Sequence, residues 1–347
     1  MTVAALDPGT GADSTSRGRR HVLGLVVAAG VLMVTCLASL AVGTENVGLA
    51  TVWHAVLDYT DTGNQWIVHE LRIPRTLLGV VVGVALGLSG ALIQGVTRNP
   101  LADAQILGIN SGAGLFVVAA IAFLGLRSIW SYVWFAFLGA LVAMALVYLI
   151  GMTGRAVATP VRMLLAGVAA GAVMEGISYG IRLRNPRAFD AMRHWDAGAL
   201  DGHTLAVVGV VTPFVMLGTA MCLYVSRGLN AVALGDDLAV AMGGNVVRTR
   251  VIGLLAVTVL AGAATAGAGP IGFVGLMVPH AVRWFTGPDW RWICAYSVFL
   301  APALLLTADV VGRVVVRPGE LPAGIVTAFV GAPVLIWLVR RRGAAAL

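Results

Sequence analysis

The chain has 347 residues, 59% of them hydrophobic and only 11% charged, with a mean hydropathy of +0.91. A soluble domain carries about 25% charged residues, so this composition excludes a soluble enzyme and describes an integral membrane protein. The net charge is +7 and all 23 basic residues are arginine; without a lysine the chain has no Walker A group for nucleotide phosphates.

A basic balance raises nucleic acid as a partner, but these arginines flank apolar runs, as residues that orient a bilayer protein do. Nucleic acid is therefore not expected, whereas contact with membrane lipid is. The cysteines Cys36, Cys222 and Cys294 lie inside apolar segments, which argues against a disulfide framework. The six histidines are scattered without ligand spacing, so no bound metal and no cofactor are expected.

Residues 1–20 are polar and read as a disordered cytoplasmic tail. Arg17, Arg19 and Arg20 precede an apolar run over 21–43. A twin-arginine export signal is the rival reading, but the run exceeds the 7–15 residues of a signal core and can span a bilayer. Further apolar segments recur at 74–97, 106–124, 129–150, 161–181, 204–225, 251–269, 271–286, 292–312 and 322–339. The expected fold is therefore all-α and polytopic, with about ten transmembrane helices over 21–342 and a short tail over 343–347. Gly269-Pro270 and Gly287-Pro288 bracket the 271–286 segment, which reads as broken or tilted.

With the N-terminus inside, fourteen arginines fall on the cytoplasmic side, Arg155 and Arg340 to Arg342 among them, and nine outside. This bias places both termini in the cytoplasm. Ser89-Gly90-Ala91 before Arg98-Asn99-Pro100 is echoed by Ala261-Gly262-Ala263 before Gly269-Pro270-Ile271. The echo suggests inverted repeats over about 72–185 and 248–342, an arrangement that places a transport pathway at the repeat interface. Chance similarity of two Gly/Ala-rich spans is the other reading.

Arg72 and Arg75 stand at i and i+3, on one face of a helix, and Arg313 reaches the same side of the membrane. Two readings fit them: snorkelling to lipid headgroups, and docking of an external protein through its carboxylates. The external segment 182–203 carries Arg182, Arg184, Arg187 and Arg193 beside Trp195; it reads either as a solvated loop or as an attractor of an anionic ligand. Within the spans, Asp309 and Arg313 at i, i+4 read as an ion pair, while Glu175 has no sequence partner and fits either a pathway or a bond to a neighbouring helix. Asn99-Pro100 should end a helix, forming a plain turn or a cytoplasmic gate. Asp236 suits a helix N-terminus, and a short amphipathic helix there would give a soluble ATPase a handle.

Arg72-Ile-Pro-Arg75, Gln94 through Ala102, Gly108 with Ser111-Gly112-Ala113, Leu164 to Gly167, Gly269 to Leu276 with Pro279-His280, Asp309 with Arg313, and Gly319 to Pro322 together resemble the FecCD-type permeases of ABC importers for iron-siderophores and vitamin B12. Phe189-Asp190 to Trp195 and Phe329 to Arg341 look most like the ferric-enterobactin branch. The resemblance implies a non-catalytic subunit that pairs with a second permease, favouring a sister chain and leaving a second copy as the alternative. It further implies two cytoplasmic ATPases and an extracytoplasmic siderophore-binding protein in the inner membrane assembly. It assigns Arg72, Arg75 and Arg313 to binding-protein docking and Asn99 and Leu101 to a cytoplasmic gate. It assigns Leu234, Gly235, Asp236, Ala241, Met242 and Gly243 to ATPase coupling. Asp103-Ala104-Gln105 departs from the family's usual Pro-containing sequence after Ala-Asp. The implied cargo is a ferric siderophore of catecholate type, with vitamin B12 or haem as alternatives. From the residues alone, an ion-coupled secondary transporter using Glu175 and Asp309 competes with this reading. A membrane-embedded hydrolase finds no nucleophile and base in a span.

Overall fold

A computed structural model describes residues 10–60, 63–151 and 160–341, and among these every regular element is helical. The helices are α1 (Thr10–Ala41), α2 (Leu49–Leu57), α3 (Gly63–Trp66), α4 (Ile73–Thr97), α5 (Ile109–Leu124), α6 (Ile129–Gly151) and α7 (Pro160–Arg184). They continue with α8 (Pro186–Trp195), α9 (Leu205–Ala233), α10 (Asp236–Ala241), α11 (Val246–Ala268), α12 (Val274–Thr286), α13 (Trp290–Val315) and α14 (Ala323–Arg341). A π-helical stretch, Ile67–Arg72, joins α3 to α4 without a break. Seven of the described helices are long and apolar enough to cross a membrane; α5 and α14 are shorter apolar helices.

Each of the ten expected spans coincides with a helix, and the differences lie at their ends. Helix α1 begins at Thr10, so residues 10–20 are helical where the sequence suggested disorder. Residues 1–9, Arg155, Arg342 and the tail 343–347 lie outside the described residues. The short 271–286 segment resolves into a non-helical approach and the 13-residue helix α12. At 1.5 Å per residue α12 is about 20 Å long, less than the about 30 Å hydrocarbon core. The segment 182–203, read as a loop, contains the helix α8. Asn185 caps it by accepting from the Ala188 amide at 3.1 Å, and Pro186 occupies the first turn.

Helices α4 and α11 form the centre. Each is 78% buried over its most apolar window, against 11% for α1, whose Val22, Leu23, Val26 and Val27 remain exposed. The centre is thus a protein core and α1 a peripheral helix with an exposed apolar face. Helix α4 packs on α11, α12 and α13, and α11 packs on α4, α5 and α6. Likewise α5 packs on α6 and α7, and α12 on α13 and α14. Exchanging α4–α7 with α11–α14 maps each of these contacts onto another, the pattern a twofold internal repeat would generate.

Glycine sets how closely the central helices approach. A Cβ on Gly90 of α4 would stand 1.9 Å from the Gly275 carbonyl oxygen of α12. Between α5 and α6, a Cβ on Gly139 would stand 2.2 Å from the Gly112 carbonyl oxygen. Small residues bring membrane helices into backbone contact, where dispersion replaces the missing hydrophobic drive. Gly90→Ala should therefore destabilise the detergent-solubilised protein by about 1–3 kcal/mol through overpacking. Gly176→Ala, where nothing lies within 4 Å, should be near neutral; equal thermal midpoints for the two variants would contradict this packing.

Candidate functional site: an outer arginine cluster and an inner turn

The three arginines singled out on the outer side come together at one end of α1, α4 and α13, and they are buried rather than presented. Arg72 is 5% exposed, Arg75 8% and Arg313 2%. Asp309, fully buried, accepts a forked pair of bonds from Arg75, Nε to Oδ2 at 3.0 Å and Nη2 to Oδ1 at 2.8 Å. Arg313 donates to the same carboxylate at 2.9 Å, as its i, i+4 spacing suggested. Arg75 Nη1 also reaches Glu320 Oε2 at 2.7 Å. The planar fork of arginine suits such two-point recognition.

The remaining donors reach the C-terminal end of α1. Arg313 Nη1 donates to the Ser39 carbonyl at 2.9 Å and the Val42 carbonyl at 3.1 Å. Arg72 donates to the Leu40 carbonyl at 2.8 Å and also to the Glu45 carbonyl. Arg317 donates to the Gly43 carbonyl and to Asn46 Oδ1. A helix leaves its last four carbonyls unpaired, with a partial negative charge there, and these guanidinium groups answer both needs. The sequence singled out Arg72, Arg75, Asp309 and Arg313, but not Arg317 or Glu320 as their companions, and not this inward use. Arg72 makes its hydrogen bonds to carbonyls alone, and counting Arg317 and Glu45 four guanidinium groups (Arg72, Arg75, Arg313, Arg317) lie among three carboxylates (Asp309, Glu320, Glu45), an excess of one positive charge.

A cavity of about 380 Å³ opens beside Glu320, lined also by Arg193, His194, Trp195, Asp201 and His203. Burial pushes the His203 imidazole below its usual range, so it is neutral at neutral pH. Of the arginines read as ligand attractors, Arg184, Arg187 and Arg193 are exposed. Arg182 is buried and paired with Asp196, which ties α7 to the end of α8. Glu175 is half-buried on α7 and has no ion pair or hydrogen bond among the described residues.

At the opposite end of α4, Arg98 takes the left-handed conformation, φ 53°, and ends the helix as the Asn-Pro pair suggested. Asn99 Oδ1 accepts from the Leu101 amide at 2.9 Å, closing a tight turn with Asn99 exposed and Leu101 half-buried. Asp103 then caps a 3-10 turn, Ala104–Leu107, accepting from the Gln105 amide at 3.1 Å. Gln105 Nε2 donates to the Ile271 carbonyl at 2.5 Å, linking this turn to the non-helical approach to α12. Burial raises the Asp103 carboxyl above its usual range, and the backbone amides of Gln105 and Ala104 oppose the rise.

The residues expected to contact an ATPase form a compact unit. Leu234 ends α9, Gly235 turns the chain at φ 122°, and α10 runs Asp236–Ala241 before Met242 and Gly243. Leu234, Leu238 and Met242 are 61%, 56% and 66% exposed. Leu238 lies on α10, while Leu234 and Met242 flank it at the end of α9 and at the C-terminal cap of α10. Asp236 pairs with Arg98 and with Arg250 Nη1, the latter at 3.0 Å. Arg98 lies 138 residues from Asp236 and Arg250 lies 14; from sequence, Asp236 had a helix-end role and, through the family resemblance, a part in ATPase coupling, but neither arginine as partner.

The family model described as the FecCD transport family matches residues 31–341. The chain belongs to this family. It is 47% identical over 312 residues to the ferric enterobactin transport system permease protein FepD of Escherichia coli, covering 90% of this chain and 93% of that one. It is 35% identical to the hemin transport system permease protein HmuU of Yersinia pestis, over 88% of this chain and 93% of the other. Among solved structures, an inward-facing metal-chelate type ABC transporter shares the fold with a TM-score of 0.80 at 24% identity, covering 91% of this chain and 98% of that chain. The chain is thus a membrane-spanning permease subunit with no catalytic role of its own, and ATP hydrolysis falls to a separate partner.

Asp309→Asn removes the carboxylate shared by Arg75 and Arg313 and leaves buried guanidinium charge uncompensated. The expected loss is about 3–5 kcal/mol, read as a lower thermal midpoint of the solubilised protein. An unchanged midpoint would show that the cluster does not hold the outer ends of α1, α4 and α13 together.

Proposed function

We propose that this permease moves a ferric siderophore of the catecholate type inward, delivered by an extracytoplasmic binding protein and driven by two cytoplasmic ATPase subunits. The observation that carries the cargo assignment is the 47% identity with the ferric enterobactin permease over nearly the whole of both chains. Haem is the second reading, favoured by the 35% identity with the hemin permease over a similar length.

The binding protein docks on the outer rim, where the uncompensated positive charge around Arg72 attracts an acidic surface. Because Arg72, Arg75 and Arg313 are buried, they act by their field and by holding the rim in shape, and Arg184, Arg187 and Arg193 extend the positive surface outward. A second permease subunit pairs with this chain around the pathway, a sister chain before a second copy. Glu175 supports that arrangement: a carboxylate on a helix whose Leu165, Val168, Val173 and Ile177 are exposed would be costly against lipid, and a cavity-lined face relieves that cost. Asn99 and Leu101 form the cytoplasmic gate. Residues 233–245 receive the ATPase, with Leu234, Leu238 and Met242 as apolar contacts. Both termini face the cytoplasm, which agrees with the arginine bias.

Uptake of radiolabelled cargo in a strain lacking this gene tests the assignment. Ferric enterobactin uptake should be restored by the wild-type chain and abolished by Arg184→Glu with Arg187→Glu, exposed positions whose reversal spares the buried cluster, and which should still insert but no longer retain the binding protein. Restored haem uptake without ferric enterobactin uptake would overturn the cargo assignment. Undiminished retention by the double variant would remove the outer rim from docking.

A further inference from the structure

Asp236 stands where three elements meet. Its Oδ1 accepts from Arg98 at the end of α4, and both carboxylate oxygens accept from Arg250 of α11, each at 3.0 Å. Asp236 itself opens α10, the helix that offers its apolar side chains to the cytoplasm. One carboxylate therefore joins the α10 segment, the turn at Asn99 and the first turns of α11.

Two observations argue that this junction serves alignment rather than stability. The side chains of Arg98, Arg250 and Asp236 are 36%, 26% and 45% exposed, and ion pairs this open to solvent contribute about 0–1 kcal/mol. Arg98 nevertheless holds a left-handed backbone, φ 53°, a conformation that costs a non-glycine residue about 1–2 kcal/mol. Such strain persists where the surroundings over-determine it, and it collects at switch regions. A weak pair at a strained residue does little for the fold; it fixes where the turn sits relative to α10. The neighbouring Asp237 has no ion pair among the described residues, so position on α10 alone does not recruit the arginines.

We propose that Asp236 is the positioning residue that transmits movement of α10 to the Asn99 turn and to α11, making the three move as one body. The inference rests on the reading of residues 233–245 as the ATPase contact. When the ATPase displaces α10, the shared carboxylate carries Arg98 with it, and the end of α4 follows. Without that carboxylate, α10 moves and the turn lags, so nucleotide hydrolysis continues while transport is lost.

The test uses the complete assembly in proteoliposomes, with ferric enterobactin and its binding protein, and reads ligand moved per ATP hydrolysed. Asp236→Asn should lower this ratio about tenfold, within the usual range of coupling between sites, compared in assemblies matched for bound ATPase. Asp236→Glu, which keeps the carboxylate, should recover most of the ratio. Arg98→Gln should resemble Asp236→Asn, and the double variant should be no worse than either single one. An unchanged ratio in Asp236→Asn or additive losses in the double variant would each overturn the proposal. A cysteine at Leu238 tests the underlying contact separately: failure to crosslink to the ATPase would overturn the docking reading, whatever the ratio does.

Discussion

A fully buried carboxylate, Asp309, shared between Arg75 and Arg313, sets the terms for the outer half of this permease. An ion in a low-dielectric interior is costly unless its partners are close and its remaining lone pairs are bonded. Here the fork of Arg75 supplies the geometry and Arg313 the second cation. The same guanidinium groups then reach past the carboxylate. Arg313, with Arg72 and Arg317, closes the open carbonyls at the end of α1. The peripheral helix α1, the central helix α4 and the helix α13 are thereby fixed at one point. A cluster of this kind contributes register more than net stability: it permits one arrangement of α1, α4 and α13 and penalises others by stranding charge.

Away from this point the interior is held by close backbone approach. Helices α4 and α11 meet at the centre, and glycines at α4–α12 and α5–α6 remove the side chains that would keep helices apart. That construction suits a transporter. Flat, small-residue contacts carry few interlocking side chains, so helices can shift against one another at modest cost. Ionic ties lie at the ends instead. The outer cluster holds the rim, and the shared Asp236 holds the inner turn to α10 and α11. A body pinned at its ends and smooth at its middle can rock, which alternating access requires.

The sequence disclosed composition, spans and the family motifs because each is local. Asp309 and Arg313 were readable as a pair because four residues of helix bring them together. The bond from Arg75 to Asp309 was not, since the partners are 234 residues apart and only the packing of α4 on α13 unites them. Arg72 looked outward in sequence because it precedes an apolar run, and nothing local reveals that the end of α1 offers it carbonyls. Helix α8 was misread as a loop because four arginines outweighed the Asn185-Pro186 start signal that in fact opens it. Asp236 was legible as the beginning of a helix, while its two arginine partners depend on the return of α11 to the end of α4.

The chain has an apolar body and no nucleotide-binding lysine, and Leu234, Leu238 and Met242 stand exposed at and around α10. These features make it a conduit whose energy comes from another subunit. Reconstitution tests this most directly: ferric enterobactin accumulation against a gradient, measured for the permease dimer alone and for the dimer with its ATPase, with ATP supplied. The account predicts accumulation only with a hydrolysis-competent ATPase present. Uphill accumulation by the permease alone, or accumulation that follows a proton gradient when the ATPase is inactive, would contradict it.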